Sequence, residues 1–206
     1  MLAVTDLLNA YTTDLTVTIP DDLQSEVMRS IDFPEFKNVQ KIVFKGNQIH
    51  SDPSIPRFLL KAWLSPTSKI TSVEFDINTL SGVDILRSLY ILPAAVKNIS
   101  FSSKEADGED CSPDSLRHAL SLLQPDFSNR GVRHFNGAMK LNLPAGQSHK
   151  EPFSLMVQHG DLFKFNLTRI NYRLTSRDVV PSIASLVHEC KNTLQFLDIA
   201  YKPTGA

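Results

Sequence analysis

The stretch Val39-Gln-Lys-Ile42-Val-Phe44-Lys-Gly-Asn47 places apolar residues at its first, fourth and sixth positions and an asparagine at its ninth. The same spacing returns at Ile70-Thr-Ser-Val73-Glu-Phe75-Asp-Ile-Asn78 and, with Lys104 where the asparagine stood, at Val96-Lys-Asn-Ile99-Ser-Phe101. Alternation of the Ile42/Phe44 kind is the period of a strand with one buried face. Its return after about thirty residues points to a stack of strand-bearing units sharing one core.

Outward from these copies the pattern recurs. Leu15-Thr-Val17-Thr-Ile19 alternates strictly and reads as a strand, followed by Pro20-Asp-Asp22 as a helix start for Leu23, Val27, Met28 and Ile31. Val132-Arg-His-Phe135 reads as a strand start. Met139-Lys-Leu141-Asn-Leu143 alternates after it, with Gly137 between them as a bulge. Leu167-Thr-Arg-Ile170-Asn-Tyr172 and Leu194-Gln-Phe-Leu197-Asp-Ile199 complete the series. Aligning Ile42, Val73, Ile99, Leu141, Ile170 and Leu197 as fourth positions gives intervals of 31, 26, 42, 29 and 27 residues.

Helical patterns fall between the strands. Residues 1–11 suit a short helix, and 56–64 are apolar on most of their surface, as in a buried one. Ser81 is an N-cap for a helix through Leu89, and Ser112-Pro113-Asp114 combines cap, first-turn proline and favourable charge. A further helix is expected over 178–189, with Val179, Ile183, Leu186 and Val187 on one side. So few residues follow the last strand that the polar cap of such arrays is missing, and the reading expects a longer array.

Composition narrows function mainly by exclusion. The 206 residues carry 21 basic and 22 acidic side chains, a net charge of −1, which gives no global attraction to nucleic acid or an anionic membrane. The start, Met1 to Asp6, has no basic residues and reaches an acid before any long apolar run, unlike a signal peptide. The longest apolar run, from Tyr90 to Val96, is far below the roughly twenty residues of a membrane helix. The expectation is a cytoplasmic or nuclear protein without membrane contact.

No glycine-rich nucleotide loop, nucleophile elbow or paired-histidine zinc motif occurs. Cys111 and Cys190 read as free thiols. On a helix, His188 and Cys190 would point about 200° apart and could not share a metal or a proton. His50, His118, His134, His149 and His159 lack ligand spacing, and the acidic loop 105–110 lacks the calcium-loop pattern. Asn98-Ile-Ser100 and Asn166-Leu-Thr168 are formal glycosylation sequons, read as coincidence without a secretory signal. No cofactor and no metal are expected.

With the apolar triplets and with Asn47 and Asn78, the chain from residue 39 onward resembles the leucine-rich-repeat superfamily. Its uneven intervals, intervening helices and proline-punctuated loops are most similar to the divergent repeats of F-box-type substrate receptors. The resemblance implies a single α/β repeat domain over 1–206. A helix and strand cap would cover 1–38, and five to six strand–helix repeats would form a solenoid with parallel strands on its concave face and helices on its convex face. The competing architecture is a closed, doubly wound α/β domain.

In such an array the residues between the buried positions face outward: Lys41, Val43 and Lys45; Ser72, Glu74 and Asp76; Asn98, Ser100 and Ser102; Arg169, Asn171 and Arg173; Phe196 and Asp198. Their sign changes from strand to strand, which suits selective recognition of a protein better than a phosphate backbone. The expected function is a non-catalytic scaffold that binds another protein through those strands, and the resemblance implies an adaptor role beside a ubiquitin-ligase core. The alternative is a small α/β enzyme with its site at strand C-termini, drawing on His50, Asp107 or Cys111.

Overall fold

The computed structural model describes residues 12–18, 38–48, 69–80, 85, 88–90, 92, 95–106, 133–142, 163–174 and 180–201. The strands are β1 (Asp14–Thr18), β2 (Lys41–Gln48), β3 (Ser72–Leu80), β4 (Asn98–Ser102), β5 (Glu105–Ala106), β6 (Arg133–Asn142), β7 (Phe163–Leu174) and β8 (Phe196–Tyr201). One helix, α1 (Val180–Glu189), joins β7 to β8, and residues 85 and 88–90 are also helical. His50, Asp107 and Cys111 lie outside the described residues. So do the helices expected at 1–11, 20–31, 56–64 and after Ser112.

The strands form a single open sheet in which every described pairing is parallel. Its order is β1-β2-β3-β4-β6-β7-β8, with the two-residue β5 pairing β3 off that path. Among the described strands the order follows the chain without reversing, so the switch point of a doubly wound sheet is absent.

Register explains the core. Leu15, Ile42, Val73, Ile99, Met139, Ile170 and Leu197 are successive pairing partners, and so are Val17, Phe44, Phe75, Phe101, Leu141, Tyr172 and Ile199. From β2 to β7 these two rows are fully buried, and the rows on the opposite face are not. Within the second row Phe44, Phe75 and Phe101 stack at centroid distances of 5.2 and 5.0 Å. Each buried ring contributes about 1.5–3 kcal/mol through removal from water, and the offset stacking fixes ring orientation.

One expected alignment is corrected. Leu141 was aligned with Ile99 and Ile170, but Met139 is their partner and Leu141 pairs with Phe101 and Tyr172. β1 also enters the rows through Leu15 and Val17, so the segment expected as a cap carries a strand of the same kind. Successive members of the first row then lie 27, 31, 26, 40, 31 and 27 residues apart.

The register does shift at Gly137, but the extra residue lies in the neighbouring strand: Gly137 faces Leu167 while Ala138 faces Arg169, so Thr168 is unpaired in β7. Upstream of this bulge β7 buries Phe163, Phe165 and Leu167; downstream it buries Ile170 and Tyr172. The parity of the strand changes while its buried face does not. β8 begins opposite Arg169, so the earlier backbone of β7 needs other partners. The turn after α1 supplies them. Cys190 Sγ donates to Phe165 O (3.2 Å) and accepts from Leu167 N (3.4 Å). Glu189 Oε1 accepts from Phe165 N (3.3 Å), and Thr193 Oγ1 donates to Leu167 O (3.0 Å).

Candidate binding surface

The face opposite the core presents side chains at every second strand position, and its residues are half-buried or exposed. All ten residues expected to bind a partner lie on it: Lys41, Val43 and Lys45 on β2; Glu74 and Asp76 on β3; Arg169, Asn171 and Arg173 on β7; Phe196 and Asp198 on β8. They form two groups. At about 4.8 Å per strand, β4 and β6 separate β3 from β7 by about 14 Å. The gap is floored by Asn98, Ser100 and Ser102 of β4 and by Ala138, Lys140 and Asn142 of β6.

The first group is internally neutral. Lys41 Nζ lies 2.8 Å from Glu74 Oε2, and Lys45 Nζ lies 3.8 Å from Asp76 Oδ2. Lys45 and Asp76 are direct partners, whereas Lys41 reaches diagonally past Ser72. The hydrogen bond to Glu74 and the negative charge of Glu74 and Asp14 hold the Lys41 ammonium above its ordinary pKa, against a smaller opposing effect of burial. Beyond this group Asn78 Nδ2 donates to Asn47 Oδ1. The two motif asparagines therefore meet across neighbouring strands.

The second group is held differently. The Arg169 guanidinium lies 4.4 Å from the centroid of its partner Phe196, a cation–π contact on a ring that is 44% exposed. Asn171 Nδ2 donates to Asp198 Oδ2 at 2.9 Å. Among the described residues neither Lys140 nor Arg173 has a carboxylate within ion-pair distance.

Among the charged and titratable members of this face, sequence reasoning passed over Asp14, His134, Lys140 and Lys164. Lys140 alternates with Met139 and Leu141, a signal that was present but stood in the irregular repeat. Lys164 and His134 pair with each other upstream of the bulge, where parity places Lys164 out of step with Arg169.

Cys190 is a free thiol with 1% exposure. Burial, followed by the nearby Glu189 charge, raises its pKa despite the opposing Leu167 hydrogen bond. A neutral thiol of this kind is a packing group. His188 is exposed two residues away. Among the described residues no group of three or more His, Cys, Asp or Glu side chains is placed to hold a metal ion, and no helix is long and apolar enough to cross a membrane.

Compared with protein-family models, with curated proteins and with solved structures, the chain matches none.

Proposed function

We propose that this chain is a non-catalytic protein-interaction module, a leucine-rich-repeat-like scaffold that binds a partner protein on the exposed face of its parallel sheet. One observation carries the reading: seven parallel strands follow one another in chain order, with one face buried from β2 to β7 and the other left open as a largely polar surface. Parallel sheets are usually covered on both faces and built from unbroken apolar runs. Strands that alternate within a parallel sheet instead suit an array covered on one side, like the strands that line a horseshoe of repeats. Six strand spacings make that face about 29 Å wide, the scale of a protein contact. The adaptor role beside a ubiquitin-ligase core rests on the resemblance alone.

The test is photo-crosslinking from position 100, at the centre of the face, with position 180 on α1 as the control. A partner captured from position 100 is then purified and titrated against the protein. The expected result is saturable binding weakened by Phe196→Ala. Capture from position 180 alone, or binding indifferent to changes on the face, overturns the proposal.

A further inference from the structure

The charge of the open face is concentrated in one half. On β2 and β3 two lysines are matched by two carboxylates. On β7 the residues along the face read Lys164, Asn166, Arg169, Asn171 and Arg173, all exposed except the half-buried Asn171, with a cation and an amide alternating through the bulge. Lys140 of β6 pairs with Asn171 and so stands beside the midpoint between Arg169 and Arg173. Against these four cations, the described part of the face from β4 to β8 carries one carboxylate, Asp198, which already accepts a hydrogen bond from Asn171. The amides between the cations are also engaged, Asn166 Nδ2 donating to Asn136 Oδ1 at 2.9 Å. This local excess of positive charge sits in a chain whose net charge is −1.

We infer that the β6–β8 half of the face is the docking site for an acidic, extended peptide segment of the partner protein, whose carboxylates engage Lys140, Arg169 and Arg173. The inference rests on the protein-binding reading above and adds the partner's chemistry. The spacing supports a peptide. Arg169 and Arg173 are four residues apart on a strand, about 13 Å, and carboxylates at positions i and i+4 of another extended chain have the same separation. Arg169 is held in place by Phe196, so part of its ordering cost is met before the partner arrives.

A random-peptide display selection on the intact chain tests both levels. The selected peptides are measured by fluorescence polarisation against the wild type, Lys140→Glu/Arg169→Glu/Arg173→Glu, and the neutral Lys140→Gln/Arg169→Gln/Arg173→Gln. The expected result is enrichment of Asp and Glu, with pairs four apart, and at least about tenfold weaker binding to either triple variant. Binding should also weaken from 0.1 M to 1 M salt, as the Debye length falls from about 10 to about 3 Å. Neutral or basic peptides that are displaced by changes on the face overturn the acidic partner and leave the protein-binding reading standing. Peptides indifferent to every change on the face, or no peptides at all, overturn both. Oligothymidylate that binds more tightly than the acidic peptides and is lost in the triple variants assigns the patch to nucleic acid and overturns this inference. Circular dichroism and the melting temperature of the neutral triple confirm that the fold is retained.

Discussion

Gly137 lies directly beneath the backbone carbonyl of Lys97. Its φ is +148°, and a Cβ at this position would overlap the Lys97 oxygen. That oxygen accepts the amide of Ala138 at 2.7 Å, so β6 is tied to the strand entrance of β4 at the point where its pairing to β7 is offset. Glycine is required twice here, for its backbone angle and for the close approach.

Gly137→Ala is therefore expected to cost about 2–3 kcal/mol, the scale of stored backbone strain with a steric clash added. Urea unfolding measures it, with Ala138→Gly as a neighbouring control. A loss below about 0.5 kcal/mol would show that the bulge absorbs a side chain.

The central phenylalanine of the stack should matter far more than the apolar residues of the last strand. Phe75→Ala removes a ring that packs against both Phe44 and Phe101, and about 3–5 kcal/mol is expected. Ile199→Ala, at 37% exposure, should cost under about 1 kcal/mol. Equal losses in thermal or urea unfolding would contradict the assignment of core and edge.

The Lys41–Glu74 pair is exposed enough that its coupling energy in a double-mutant cycle should stay within about 0.2–1 kcal/mol and shrink with salt. Because folding raises the Lys41 pKa above 10.5, the contribution is complete below that value and fades as pH rises through the higher folded value. A contribution that instead disappears on mild acidification, well above the carboxylate range, would point to a different partner.

Cys190 should react slowly with a thiol reagent in the folded protein and rapidly in urea. Cys190→Ala leaves the Phe165 carbonyl and the Leu167 amide without their sulfur partner, at a cost of about 1–3 kcal/mol. With a folded pKa raised above 9.0, the thiol favours the folded state fully below that pH; the advantage declines once the unfolded chain can ionise it. Fast labelling under native conditions would reveal local opening of the α1–β7 seam.

Among the described residues the exposed large hydrophobics are Val180, Phe196, Leu197 and Ile199, all in the last helix–strand unit. An edge strand with apolar residues uncovered on its core side invites association. Leu197→Thr/Ile199→Lys should lower light scattering at high protein concentration while leaving the melting temperature within a few degrees. Unchanged scattering would place self-association elsewhere.

The strands were legible because each is a local statement. Ile42/Phe44, Val73/Phe75 and Ile99/Phe101 declare a two-residue period within a few positions, and the period decides which side chains share a face. The helix from Val180 was legible for the same reason, through its apolar stripe, whereas Gly137 marked only the level of the register shift and not the strand that holds the extra residue, Thr168 of β7. Register was not. Met139-Lys-Leu141-Asn-Leu143 offers two alignments two residues apart that bury the same face equally well, and only pairing with β4 and β7 selects Met139.

The candidate surface divides along the same line. Alternation alone placed Lys41, Glu74, Arg169 and Arg173 on the open face. It could not show that Lys41 and Lys45 would be neutralised across the strand boundary, or that Lys164 would rejoin Arg169 after a change of parity at Thr168. Periodicity is a property of neighbours along the chain, so sequence by itself determined the strands and their buried faces. Which charges are paired depends on residues about thirty positions apart being brought within a few ångströms, and only the tertiary structure decided that.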